Sequence, residues 1–159
     1  CGGSGCLAVT VALERPDAEV WCVEKSEAAF SYLKRNNDAL GAGVHILLGD
    51  ALDTGCVEGD FDCILSNPPY LSDSDMRELE PEVRCEPAMA LYGEADGLFF
   101  YRELTARWAD RLRPGGLLAY EIGMGQQSQV AAIMQAAGLN TICQTMDYGG
   151  IIRVLTARA

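Results

Sequence analysis

Short apolar runs alternate with amphipathic stretches along this chain, and that alternation narrows its possible folds more than any other feature. Residues 19–24 (Glu-Val-Trp-Cys-Val-Glu), 44–48 and 61–66 read as buried strands. Residues 5–14 are small and apolar and predict a helix, halted at Arg15-Pro16 because proline pushes the residue before it out of the helical region. Ser26 is placed to cap a helix running to about Leu40, with Gly41 just past its end. Residues 96–113 carry Leu98, Phe99, Tyr101, Leu104, Trp108 and Leu112 at helical spacing, and Pro114-Gly115-Gly116 predicts a turn. A strand over 117–122, a helix over 126–137 ended by Gly138, and strands over 141–146 and 153–157 around a Tyr148-Gly149-Gly150 turn complete the pattern. Residues 72–95 are polar and weakly periodic; a loop of that length is usually functional or holds a short helix.

Strands alternating with helices predict an α/β fold with a Rossmann-like, doubly wound and mainly parallel sheet. Two closing strands joined by a short turn add an antiparallel C-terminal edge. A length of 159 residues with 49% hydrophobic content suffices for one sizeable core in one domain. The amino terminus bears on the sheet as well. Gly2-Gly3-Ser4-Gly5 is a loop that should follow a strand, and no strand precedes it. In a Rossmann-type order that strand is central, so its absence predicts a gap or a pair of unpaired edges. The expectation is a truncated domain over residues 1–159 whose first strand belongs to a longer protein.

A formal net charge of −11 disfavours partners held through phosphates, since such surfaces are normally basic. No apolar run approaches the roughly 18 residues needed to cross a bilayer, and no signal peptide is evident. The seven cysteines are odd in number and form no C-x-x-C pair, which reads as reduced core thiols in a cytoplasmic protein. The single histidine, His45, lies on the polar phase of its strand without ligand partners nearby in sequence, so no metal is expected.

Asn67-Pro68-Pro69-Tyr70 follows the strand over 61–66, where open α/β sheets place their ligands. The Asn67 side-chain oxygen can accept from an NH2 group while staying uncharged. Pro68 and Pro69 fix two successive φ angles and carry no N–H. Tyr70 offers an aromatic face. The tetrad is a rigid cradle for a planar, NH2-bearing substrate. The glycine loop at a helix start allows close backbone approach to a ligand, although a plain tight turn gives the same pattern. Glu24 ends the second strand roughly twenty residues later, the spacing at which an acid meets ribose hydroxyls. Asp50 closes the third, where a carboxylate can accept from an adenine amino group. Either acid alone is commonly a solvated strand end. With no G-x-G-x-x-G fingerprint, the combination fits a nucleoside better than a dinucleotide.

The order of glycine loop, Glu24, Asp50 and Asn67-Pro68-Pro69-Tyr70 resembles the class I S-adenosylmethionine-dependent methyltransferases. More narrowly it resembles the HemK-type peptide-chain release factor N5-glutamine methyltransferases. That resemblance extends through residues 82–87, Ala90-Leu91, Asp96-Gly97-Leu98, Tyr101-Arg102, Pro114-Gly115-Gly116, Glu121-Ile122-Gly123, Gln126-Gln127 and Asp147-Tyr148-Gly149 with Arg153-Val154, nearly the whole chain. It implies methyl transfer from S-adenosylmethionine to the side-chain nitrogen of a glutamine in a release factor, leaving S-adenosylhomocysteine. Asn67, Pro68 and Tyr70 are then catalytic, and Pro69 joins them in substrate binding. Gly3, Gly5, Glu24, Asp50, Leu52 and Asn67 are the implied cofactor contacts, with Gly3 and Gly5 at the methionine part and Leu52 against the adenine. Two departures stand out: the acidic residue that the family carries before the glycine loop lies outside this chain, and Gly2 stands where the family usually has threonine. The family's helical substrate-binding domain is likewise expected outside these residues.

Plainer readings apply elsewhere. Arg84 and Glu86 either contact substrate or form a loop-stabilising ion pair. Trp108 and the Phe99, Phe100, Tyr101 cluster read as core, and Gln126 and Gln127 as structural residues opening a helix. Two other functions are compatible with the tetrad: amino methylation of adenine or another nucleobase, and a catalytically silent nucleoside-binding domain. The acidic balance weighs against the first and the intact Asn67 against the second.

Overall fold

The computed structural model describes residues 1–159 and divides them into two compact units, Cys1–Glu58 and Gly59–Ala159. In the first unit, helix α1 (Cys6–Glu14) leads to strand β1 (Trp21–Glu24), helix α2 (Glu27–Leu40) and strand β2 (His45–Leu48). β1 and β2 pair in parallel, Trp21 opposite His45 and Glu24 opposite Leu48. α2 has the predicted bounds because both ends are sealed locally. Ser26 Oγ accepts from the Ala29 N–H, and Gly41 takes the left-handed conformation that releases the chain. The core gathers Val9, Ala12, Cys22, Leu33 and Val44. Leu33 is fully buried at its centre, a burial that stabilises by about 2–3 kcal/mol.

The second unit holds strand β3 (Phe61–Ser66), helices α3 (Asp73–Arg77), α4 (Ala88–Leu91) and α5 (Phe99–Trp108), strand β4 (Leu112–Glu121), helix α6 (Gln127–Ala136) and strands β5 (Asn140–Met146) and β6 (Ile152–Arg158). Its sheet runs β3-β4-β6-β5, with β3 parallel to β4 and the last two strands antiparallel. The α/β class, the parallel strands and the antiparallel C-terminal edge are as the sequence predicts. The strands sort into a two-stranded and a four-stranded sheet, and β3 is an edge strand on which Cys63 and Leu65 are exposed. Tyr101, Leu104 and Trp108 of α5 are buried, as the core reading of that helix requires, with the Tyr101 ring edge-on to Tyr120 of β4.

Burial departs from expectation at β3, which has no fully buried residue because it lies at the edge of its sheet, and at the cysteines read as core thiols, of which only Cys22 is buried while Cys6, Cys63, Cys85 and Cys143 are exposed. Two elements also differ in extent. The helix predicted over 96–113 spans only Phe99–Trp108. Asp96 accepts from the Leu98 N–H, and Gly97 adopts φ +70, so the chain cannot be helical before Leu98. At the other end Leu112 enters the ladder opposite Phe61, and the Pro114-Gly115-Gly116 turn becomes an irregularity within β4 rather than a connection before it. The polar stretch after the tetrad is ordered by its ends. Leu71 N–H donates to Leu91 O and Gly93 N–H to Leu71 O, both at 2.8 Å, closing residues 71–93 into a loop that contains α3, the Val83–Cys85 turn and α4.

Candidate active site

The glycine loop, Glu24 and Asp50 come together at the carboxyl ends of β1 and β2. Glu24 is buried, and both its oxygens are engaged: Gly3 N–H donates to Oε2 and Ser26 N–H to Oε1, each at 2.7 Å. One carboxylate thereby fixes both the loop before α1 and the entry to α2. Burial pushes its pKa up, but the Ser26 and Gly3 donors lead the contributions that outweigh it and hold the carboxyl below its ordinary value. A carboxylate offers about four acceptor sites, so two hydrogen bonds leave capacity for hydroxyl donors.

The loop closes with Gly5 N–H donating to Gly2 O at 2.9 Å, and Gly5 stands at φ +86 as the residue before α1. A Cβ on Gly5 would overlap Leu33 Cδ1, and one on Gly2 would lie 2.6 Å from Cys22 Sγ. Threonine at position 2 has no room beside Cys22, which accounts for the glycine there. Gly3 is the opposite case: it takes φ +57, with open space where a Cβ would point. The loop therefore offers backbone without side chains on its open side, as approach by a methionine-like chain requires.

Asp50 Oδ2 accepts from Lys25 Nζ at 2.7 Å, and Oδ1 from Leu52 N–H at 2.9 Å. The Lys25 hydrogen bond, then the Leu52 donor, hold the carboxyl below its ordinary value. Lys25 is a residue that sequence reasoning missed; its adjacency to Glu24 is the signal that could have raised it. Leu52 is half-buried on the Asx turn made by Asp50.

The tetrad belongs to the second unit, at the carboxyl end of β3. Ser66 pairs with Tyr120, which puts Asn67 level with Glu121 at the end of β4. Ser66 Oγ is buried without a hydrogen-bond partner immediately before the tetrad. Pro68 and Pro69 are buried and Asn67 is exposed. Neither the Asn67 carboxamide nor the Pro68 carbonyl takes part in any hydrogen bond within the chain. Two acceptors thus stand adjacent and free on a segment whose φ angles are locked. Tyr70 is half-buried. Burial first, then the Glu121 carboxylate, push its hydroxyl above the ordinary tyrosine value, with Arg153 opposing. It stays protonated at neutral pH and is suited to packing rather than to proton abstraction.

Sequence reasoning also underrated Gln126, whose Nε2 donates to Tyr70 O at 2.9 Å. The Arg84–Glu86 ion pair does not form: Arg84 Nε donates to Leu79 O instead, because the Val83–Cys85 turn points the guanidinium back along its own loop. His45 is exposed and stacked on Trp21, centroids 4.5 Å apart.

The chain is 40% identical over 159 residues to the release factor glutamine methyltransferase of Geobacter sulfurreducens, covering 98% of this chain and 55% of that protein. It is 37% identical over 161 residues to the release factor glutamine methyltransferase of Clostridium acetobutylicum, covering 99% and 56%. The chain thus spans about half the length of the curated relatives it matches. The narrow resemblance drawn from the motifs is the one these relatives carry in their names. Among solved structures, a methyltransferase from Pyrococcus furiosus superposes with a TM-score of 0.74 at 20% identity, over 99% of this chain and 71% of that one, which shows the fold. The methyltransferase small domain model matches residues 1–82, from the glycine loop through Glu24 and Asp50 to the tetrad and α3. With the loop, both acids and the tetrad each built as described, the chain belongs to the methyltransferase small domain family.

Proposed function

We propose that residues 1–159 form the catalytic domain of an S-adenosylmethionine-dependent methyltransferase acting on the side-chain amide nitrogen of a glutamine in a peptide-chain release factor. The observation that carries this reading is the pair of unengaged acceptors, the Asn67 carboxamide and the Pro68 carbonyl, side by side after β3. The names of relatives about 40% identical over nearly all of this chain support the choice of substrate.

When bound, S-adenosylmethionine supplies an electrophilic methyl group on a sulfonium and leaves as S-adenosylhomocysteine. Gly3 and Gly5 take the side of its methionine part, Glu24 the ribose hydroxyls, Asp50 the adenine amino group and Leu52 the ring. An amide nitrogen is a weak nucleophile because its lone pair is delocalised. The Asn67 oxygen and the Pro68 carbonyl accept its two N–H groups and so fix the plane of the amide, while Pro69 holds the backbone and Tyr70 packs on the flat face. The nitrogen gains a methyl group and releases one proton to solvent. Tyr70, held protonated, takes no part in that proton transfer. Positioning and exclusion of water supply the acceleration, no metal is needed, and the reaction belongs in the cytoplasm.

The test uses the full-length protein with methyl-labelled S-adenosylmethionine, offered a release factor, DNA and RNA in parallel. Label in the release factor, mapped to a glutamine, is the expected result. Label confined to nucleic acid moves the function to nucleobase methylation, and no label in any substrate leaves a silent nucleoside-binding domain.

A further inference from the structure

Gln126 occupies the cap position of α6 and does not cap it: its side chain makes no bond to the free N–H groups of that helix. The carboxamide turns outward instead. Oε1 accepts from Gly123 N–H at 3.0 Å, and Nε2 donates to Tyr70 O at 2.9 Å and, at 3.4 Å, to Gly97 O. One side chain therefore joins the tetrad to the turn after β4 and to the loop before α5.

The surrounding backbone is drawn in so closely that side chains are excluded. A Cβ on Gly97 would overlap the Tyr70 carbonyl, and one on Gly123 would lie 2.7 Å from Gln126 Oε1 and 3.0 Å from Tyr70 Cδ2. A Cβ on Gly93 would lie 2.8 Å from Pro69 O. Three loops meet on Pro69 and Tyr70, and the Gln126 amide lies at their junction. Both hydrogen-bonding ends of that amide are used, and glutamine offers a donor and an acceptor on one group without titrating. Gln127, of the same type and next in the chain, has no such bonds.

We propose that Gln126 is a positioning residue of the tetrad: its carboxamide clamps the Tyr70 carbonyl to the Gly123 turn and so sets the plane against which the acceptor amide lies. The inference rests on the methyl-transfer reading of Asn67-Pro68-Pro69-Tyr70. It adds to that reading a group that touches neither substrate nor cofactor and acts through Tyr70.

Three variants of the full-length protein test it: Gln126→Ala, Gln126→Glu and, as control, Gln127→Ala. Amide exchange over residues 69–98 is measured together with melting temperature, affinity for S-adenosylmethionine, and kcat and KM for release factor methylation. Gln126→Ala should speed exchange at Leu71, Gly93 and Gly97 and leave β4 and β6 protected. It should lower kcat by about 10- to 100-fold, the scale of a misplaced reacting group, with donor affinity within about twofold of the parent by the same argument. Gln127→Ala should change none of these. Gln126→Glu puts a negative charge against two carbonyl oxygens when ionised, whereas its protonated acid restores one donor, for the Tyr70 carbonyl, beside the acceptor for Gly123 N–H. Its activity relative to the parent should therefore rise as pH falls, a profile that a general loss of stability does not produce. Unchanged exchange in Gln126→Ala overturns the clamp whether or not the protein is active. Parental kcat in a Gln126→Ala variant with faster exchange overturns it too. A parent that methylates no release factor defeats the proposed function instead, and the exchange result then decides the clamp alone.

Discussion

Gly5 and Leu33 form a pair whose coupling can be worked out in advance. Gly5 holds φ +86 at the start of α1, and a Cβ built there would overlap Leu33 Cδ1. Gly5→Ala therefore meets two separate penalties. Left-handed backbone costs an alanine about 1–2 kcal/mol, and an extra methyl in a filled core costs about 1–3 kcal/mol. The single variant should lose about 2–5 kcal/mol as the sum of these. Leu33 is fully buried among Val9, Ala12, Cys22 and Val44, so Leu33→Ala should lose about 2–5 kcal/mol by emptying that space. In the double variant the methyl introduced at position 5 enters the volume that Leu33 vacates. The overlap disappears and the backbone penalty remains, so the losses should fall short of additivity by about 1–3 kcal/mol. Urea unfolding of the full-length protein, followed by circular dichroism, reads all four corners of the cycle. Losses that add to within about 0.5 kcal/mol would refute the close contact, since independent sites add to that precision. A Gly5→Ala variant as stable as the parent would refute the backbone argument as well.

Four other outcomes follow from the site. Asn67→Ala should lower methyl transfer at least about 100-fold, the scale for losing one oriented hydrogen-bonding group at a reacting centre, while calorimetry finds donor affinity nearly intact; a matching loss of affinity would move Asn67 to the donor side. Glu24 has its folded value depressed, so its contribution to stability is full above the ordinary carboxylate range and is lost as pH falls through that range toward the folded value. Unfolding free energy should thus drop on acidification below about pH 5, and Glu24→Gln should flatten that slope; an equal slope in the variant would assign the acid sensitivity elsewhere. Lys25→Ala should cost under about 1 kcal/mol, because the Lys25–Asp50 pair is exposed, and should leave donor affinity unchanged or raised by freeing Asp50 Oδ2. Asp50→Ala should weaken donor binding about 10-fold or more, the worth of a charged hydrogen bond.

What the sequence made legible is local. α2 could be bounded to the residue because Ser26 and Gly41 seal it with bonds to chain neighbours. β3 could be bounded because Phe61–Ser66 is a single apolar run ending at two prolines. The errors all lie where distant residues decide. α5 stops at Trp108 because Leu112 is claimed by Phe61 across the sheet, and nothing in residues 96–113 announces that pairing. The loop after the tetrad is closed by Leu71 bonding to Leu91 and Gly93, two segments whose own sequences are only weakly patterned.

The site divides the same way. Residue type is what puts Glu24, Asp50, Asn67 and Tyr70 forward as candidates, since each would act through its own side chain. It did not reveal what holds them. A lysine beside a strand end looks solvated until Asp50 of the next strand closes on it at 2.7 Å. A glutamine opening a helix looks like a cap. Only the structure shows that Gln126 leaves its helix uncapped and spends its amide on a carbonyl 56 residues back. Supporting groups are hard to read because their partners are backbone atoms, which every residue possesses and no motif marks. Glycine is the partial exception: Gly97 and Gly123 sit where any Cβ would strike Tyr70 or Gln126, so the backbone junction leaves a trace in the sequence as residues that must stay bare. The Gly-x-x-Gln spacing from Gly123 to Gln126, read together with Gly97 after Asp96, is therefore the signal by which the clamp could have been found before the fold was known.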